Sequence, residues 1–258
     1  MKTVLSAEFV LTDVGVVGGR TMLVLHGGGG PQTVAPLVGH FSRSFHVLAP
    51  THPGWEHTHR SEELDSVATL ATAYLELLVQ MGEKSVIIVG SSIGAWIALE
   101  MAIQAGTDER YERVVGAVVD LDGVGAVVEG EQIADFFSLT PRALAELAWH
   151  DPALGYRDPA SFSDEQRAAA KSNGDAMAAI AGRAMSDPTL LARLQSVEVP
   201  TLVLFGESDR IVTPAYGRAV AASIPGAQYA TVPAAGHLPH LENPQATMDL
   251  LDSFIRGV

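Results

Sequence analysis

With 258 residues, 47% of them apolar, the chain has material for a sizeable buried core and needs no disulfide or metal to hold it. It contains no cysteine, which removes disulfides, thiolate metal sites and cysteine nucleophiles together. The 30 acidic residues outnumber 16 basic ones for a net charge of −14, and an acidic surface with no basic cluster repels phosphate backbones and anionic membranes.

At the start, Met1-Lys2-Thr3-Val4-Leu5 faintly resembles a secretion signal, but Glu8 and Asp13 interrupt the apolar run and no small-residue cleavage pattern follows. No stretch reaches the roughly 18–20 uninterrupted apolar residues of a membrane span. The expectation is a cytoplasmic protein, monomeric or homodimeric, with neither nucleic acid nor membrane as partner. Short β-branched runs then recur at Thr21–His26, Phe45–Pro50, Ser85–Gly90, Val114–Asp120, Thr201–Gly206 and Gln228–Val232. Several are apolar on both faces, as strands of a helix-covered parallel sheet are. Helical patterns fall between them, near 64–82, 93–105, 214–223 and 244–256. Thr213-Pro214 and Asn243-Pro244 each set a capping side chain before a proline at the first helical position. The alternation predicts a doubly wound α/β sheet.

Residues 124–196 break that alternation. They carry no convincing strand, but show helical signals at Thr140–Trp149 and from Ser163 onward, where Ser163 and Gln166 have capping-box spacing. A helical insertion between two strands predicts a lid over the sheet's carboxyl edge, where open α/β sheets hold ligands. The expected division is a core of 1–123 and 197–258 and a helical cap of 124–196.

The strongest local pattern is Gly90-Ser91-Ser92-Ile93-Gly94. G-x-S-x-G alone arises often by chance. Here an apolar strand precedes it and an apolar helix follows, so the turn between them would hold Ser92 strained and project its hydroxyl above the sheet. Ser91 lies outside the central position and reads as a packing residue. A serine hydroxyl needs a base. Among nine histidines, His237 follows the last strand pattern and precedes the final helix, on the same edge as Ser92; neighbouring His240 reads as structural or solvent-facing. The base needs a carboxylate to fix its tautomer. Asp209, after the strand Thr201–Phe205, is preferred to Asp120 and Asp122 and to Glu207. The glycine run after His26 leaves amides free to approach an oxyanion, with Gly28 as one donor and Ile93, at a helix start, as the other. It lacks the Gly-Lys-Ser/Thr ending of a phosphate loop.

With His26-Gly27-Gly28-Gly29, His52-Pro53-Gly54, the Ser92 turn, Gly206-Glu207-Ser208-Asp209 and Gly236-His237 together, the chain resembles the α/β-hydrolase superfamily along nearly its whole length. The resemblance implies a mostly parallel, eight-stranded sheet with a helical cap after the sixth strand. It also implies hydrolysis of a small-molecule substrate with no cofactor and no metal. Serine at position 92 speaks against haloalkane dehalogenases and epoxide hydrolases, which use aspartate there. Carboxylic ester hydrolysis is the expected reaction. Carbon–carbon bond hydrolysis of the meta-cleavage type and non-catalytic small-molecule binding stand as alternatives.

Weaker features are His52, His57 and His59, expected as solvated loop histidines rather than metal ligands. The aromatics Trp55, Phe136, Phe137, Trp149, Tyr156 and Phe162 are expected as lid core or pocket lining. Arg183 reads equally as a surface residue or a binder of a substrate carboxylate.

Overall fold

A computed structural model describes residues 9–258, so the Met1–Leu5 segment lies outside the described residues. In chain order the first half contains β1 (Val10–Gly15), β2 (Thr21–Leu25), α1 (Ala35–Phe41), β3 (His46–Thr51), α2 (Val67–Met81), β4 (Val86–Ser91), α3 (Ile93–Thr107) and β5 (Val115–Leu121). The inserted segment follows, with β6 (Gly125–Ala126), α4 (Pro141–Ala148), α5 (Pro152–Gly155), α6 (Asp164–Ala181), β7 (Ser186–Asp187) and α7 (Leu190–Arg193). The chain then returns to the sheet with β8 (Thr201–Gly206), α8 (Pro214–Ala222), β9 (Gln228–Val232), α9 (Pro239–Glu242) and α10 (Pro244–Ile255).

The main sheet has the order β1-β3-β2-β4-β5-β8-β9, seven strands among the described residues where the resemblance implies eight. All neighbours pair in parallel except β1, which runs antiparallel to β3. The six apolar runs of the sequence are the six parallel strands. β1 has no counterpart among them, because as an edge strand it leaves nearly all its residues exposed and carries no burial pattern. By contrast every residue of β2, β4 and β8 is buried, as strands covered on both faces must be.

Helices cover both faces. Leu70 and Tyr74 of α2, Ile97 and Met101 of α3 and Val220 of α8 pack on one side. Leu37 and Phe41 of α1 and Leu251 and Phe254 of α10 pack on the other. Residues 93–103 of α3 are all buried, even Glu100, whose carboxylate accepts two hydrogen bonds from the Arg193 guanidinium at 3.0 and 2.7 Å. Arg193 also pairs with Asp187 at 2.7 Å. This part-buried pairing ties the end of the inserted segment to the central helix, and removing Arg193 would leave the buried Glu100 carboxylate without its partner.

The expectation of no strand in 124–196 needs a small correction. β6 and β7 pair in parallel, Gly125 with Ser186 and Ala126 with Asp187. Two residues each are too few to leave a periodic signal, yet the pairing fastens the entry of the segment to its exit. The Ser163–Gln166 capping box is present: the Ser163 amide donates to Gln166 Oε1 at 2.9 Å and the Gln166 amide to Ser163 Oγ at 3.2 Å. Thr213 caps α8 by accepting from the Tyr216 amide at 3.1 Å.

Candidate active site

Ser92 sits between β4 and α3 with φ 57° and ψ −118°, a conformation a non-glycine residue rarely adopts. Such strain costs on the order of 1–3 kcal/mol and persists only where the surroundings enforce it. The surroundings here are backbone. A Cβ on Gly90 would lie 2.2 Å from Gly94 O, and one on Gly94 would lie 2.4 Å from Leu25 O. Strand, turn and helix are thus in contact at their main chains, and both flanking positions must be glycine. Ser91 is fully buried, and its hydroxyl has no partner among the described residues, in keeping with a packing role.

Two side chains from distant loops meet Ser92. Asp209 follows β8 and His237 follows β9, both on the edge where β4 ends. The Asp209 carboxylate accepts from the amides of Ile211 and Val212 through Oδ1 at 2.8 and 3.3 Å, and from His237 Nδ1 through Oδ2 at 2.7 Å. A carboxylate only accepts, so the ring proton is on Nδ1 and Nε2 is left as an acceptor. Ser92 Oγ lies 2.9 Å from that Nε2 and donates to it. The backbone of His237 is held as well: its amide donates to Ala148 O at 2.7 Å, at the end of α4. The amide of Arg210, next to Asp209, donates to Leu147 O at 3.1 Å. The inserted segment therefore grips both loops that carry His237 and Asp209. Glu207 is exposed. Asp120 and Asp122 are buried, but neither donates to or accepts from the imidazole.

Gly28 lines the same cavity as Ser92, and Ile93 is the first residue of α3. Among the described residues, neither amide meets a protein acceptor. The sequence reading missed how the Gly28 loop is held. The His52 amide donates to His26 Nε2 at 3.0 Å, so the His26 proton is on Nδ1, which donates to Gly27 O at 2.7 Å. Fixing Gly27 O fixes the planar, trans Gly27–Gly28 peptide and so turns the Gly28 N–H to the opposite side. Trp55 Nε1 donates to Gly28 O at 3.1 Å and holds the next peptide. His52 completes the scaffold, donating from Nε2 to His26 O at 2.9 Å and accepting from the Tyr74 hydroxyl at 2.6 Å.

This corrects the expectation for His52. His57 and His59 are exposed as predicted, but His52 is fully buried. Burial pushes the His26 imidazole down to about 4, and burial and the neighbouring His26 hold His52 well below the ordinary histidine value. Both rings are neutral near pH 7, as their donor and acceptor pattern requires. The missed signal was the pairing of the histidine before the glycine run with the histidine before Pro53-Gly54, which lie side by side just past the ends of neighbouring strands β2 and β3. His240 is structural: it is 1% exposed and donates to Thr33 O at 2.9 Å.

A cavity of about 450 Å³ opens at Ser92 and His237. Its other walls are mainly apolar and come largely from the inserted segment, with Phe136, Trp149, Phe162 and Met177 prominent. Met177 overhangs the glycine loop, since a Cβ on Gly28 would lie 2.6 Å from its Sδ. Trp55 is absent from the lining, being buried beneath the loop against His26 and His52. Phe137 stacks on Phe136 with Arg183 over its outer face, and Tyr156 lies under Arg142. Arg183 is not part of the wall. Arg157, which the sequence reading did not single out, is.

A model of the alpha/beta hydrolase family matches residues 22–250. The sn-1-specific diacylglycerol lipase ABHD11 of Mus musculus is 28% identical over 197 residues, which cover 69% of this chain and 62% of the lipase. The chain thus spans less than two thirds of the length of that relative. Among solved structures, Est816, described as an N-acyl homoserine lactone degrading enzyme, superposes with a TM-score of 0.74 at 23% identity, covering 95% of this chain and 96% of its own. The enol-lactonase from Burkholderia xenovorans LB400 gives a TM-score of 0.74 at 20% identity, covering 98% of each chain. At these identities the two structures establish a shared fold. On the family match across most of its length, carried by this sheet and its helices, the chain belongs to the alpha/beta hydrolase family.

Proposed function

We propose that the protein is a serine hydrolase that cleaves a small, largely apolar ester or related acyl substrate through an acyl-enzyme intermediate. The observation that carries this reading is the unbroken relay from Ser92 Oγ to His237 Nε2 at 2.9 Å and from His237 Nδ1 to Asp209 Oδ2 at 2.7 Å, opening into an apolar cavity. In the first step His237 takes the hydroxyl proton as Ser92 attacks the substrate carbonyl, and Asp209 stabilises the imidazolium that forms. The amides of Gly28 and Ile93 hold the developing oxyanion, the latter aided by the positive end of α3. The protonated imidazole then gives its proton to the leaving group. In the second step it activates a water that releases the acid and frees Ser92.

The segment 124–196 serves as the cap that shapes the acyl pocket, with Phe136, Phe162 and Met177 excluding water from the reacting carbonyl. A cavity of about 450 Å³ is in the range that accepts small ligands. Relatives named as a diacylglycerol lipase and as lactone-degrading enzymes favour an oxygen ester over other acyl bonds.

A fluorophosphonate probe should label the wild type and not Ser92→Ala, and Ser92→Ala should lose about a millionfold in turnover, as removal of such a nucleophile does. Labelling that persists in the variant would refute Ser92 as the nucleophile. A panel of p-nitrophenyl esters of increasing chain length, lactones and a vinylogous diketone tests the substrate class. Turnover of the diketone alone would move the reaction to carbon–carbon hydrolysis.

A further inference from the structure

Asp122 has no part in the mechanism above, yet it lies directly behind it. It is fully buried just beyond β5, and its backbone adopts φ 47°, the left-handed region that a non-glycine residue enters only when held there. Its Oδ1 accepts from the Gly206 amide at 2.8 Å, at the end of the strand that leads to Asp209. Its Oδ2 is buried and meets no N–H donor among the described residues. A carboxylate oxygen of Asp122, one of Asp209 and a ring nitrogen of His237 lie within 4.8 Å of one another. A cation does not explain the cluster well, because the 2.7 Å between His237 Nδ1 and Asp209 Oδ2 is a hydrogen bond with no room for an ion between the two atoms.

Two carboxylates cannot both be ionised at this range in a dry site. Asp209 has three N–H donors and Asp122 has one, so the charge belongs on Asp209 and the proton on Asp122. We propose that Asp122 is a positioning residue for the site: a neutral carboxylic acid that donates its Oδ2 hydrogen to the Asp209 carboxylate and keeps it aimed at His237. The inference rests on the serine-hydrolase reading of Ser92, His237 and Asp209. Burial and the Asp209 charge push the Asp122 carboxyl well above its ordinary value, and a carboxylic acid kept neutral in this way serves as a donor. The other titratable groups facing it are Asp120, which burial pushes up to about 7, and Tyr229 of β9. Neither supplies a positive charge that would ionise Asp122.

Asparagine has the same shape and presents an acceptor toward Gly206 and a donor toward Asp209. Asp122→Asn should therefore label with a fluorophosphonate within about threefold of the wild-type rate, with the pH at half-maximal rate unmoved. Asp122→Ala should label about tenfold to a hundredfold more slowly, having lost a hydrogen bond to a charged group. An independent readout is the downfield proton resonance of His237 Nδ1–H, expected to stay in place in Asp122→Asn and to shift or broaden in Asp122→Ala. If Asp122 were instead ionised, Asp122→Asn would remove a negative charge beside the imidazole, and the half-maximal pH would fall by about one unit or more. That fall, or an alanine variant indistinguishable from wild type, overturns the proposal. Should Asp122→Ala fail to fold, the asparagine pH profile and resonance decide alone. Should wild type not label at all, the serine-hydrolase reading fails, and the resonance still reports whether Asp122 holds Asp209.

Discussion

The carboxyl edge of the sheet and the inserted segment 124–196 line one cavity, but they are held together by different means. At the edge, Ser92 and Asp209 are attached to strands buried on both faces and His237 to the half-buried edge strand β9, and their loops are fixed by main-chain contacts closer than any side chain would allow. The inserted segment is built from helices that bury few residues each, among them Ala145 and Ala148 of α4 and Met177 and Ile180 of α6. It leaves Leu144 and Leu154 exposed, and its helix ends are closed by side-chain caps at Thr140, Asp151 and Ser163. Close backbone packing fixes atomic positions, as a proton relay demands. Side-chain packing on a sparsely buried scaffold tolerates substitution and so suits a wall that sorts substrates. The two regions are nonetheless joined, since α4 accepts from the amides of Arg210 and His237.

The sharpest way to break the rigid region is Gly94→Ala. Its Cβ would meet Leu25 O at 2.4 Å and His26 O at 2.6 Å, backbone atoms that cannot step aside cheaply. Urea unfolding should show a loss of about 4 kcal/mol or more, or no folded protein at all. A loss below 1 kcal/mol would mean the edge is softer than argued.

A smaller effect on the same region appears through pH. Burial pushes the His240 imidazole down from the ordinary 6.5 to about 4. The unfolded chain therefore binds this proton first, and the folded state is destabilised as pH falls from 6.5 toward 4, by an amount on the order of 3 kcal/mol at the acid end. Above 6.5 the residue has no such effect. His240→Gln should thus lose less stability than wild type over that window, measured by unfolding midpoints at successive pH values. Parallel curves would show that the His240 ring takes up its proton as readily folded as unfolded.

The smallest effect belongs to the inserted segment. Phe162→Ala enlarges the pocket at a wall that the inserted segment supplies. It should raise KM for longer-chain esters about tenfold, the worth of one lost apolar contact, while leaving kcat on an acetyl ester within about twofold. If kcat on the acetyl ester fell as far as KM rose, the two regions would be a single unit and the division drawn here would fail.

How much of this was legible beforehand depends on how local each signal is. The six parallel strands, several of them apolar on both faces, could be read directly, as could the Gly90–Gly94 turn, because its residues are consecutive. The edge strand β1 and the two-residue strands β6 and β7 were not legible, since exposure erases periodicity in the first and brevity in the others. Trp55 was expected near the lid and instead lies beneath the glycine loop, because an aromatic residue says it will be buried without saying against what.

The amino-acid sequence by itself determined the class of sheet, the strained serine and the order of serine, acid and base along the chain, since each is written in residues adjacent to a strand end. Only the tertiary structure brought Asp209, and not Asp120, Asp122 or Glu207, into a hydrogen bond with His237, put neutral His26 and His52 under the glycine loop, and set Asp122 beside Asp209. Those choices depend on which loops share an edge and on which groups are shut away from water, and burial and distance are properties of the folded chain alone.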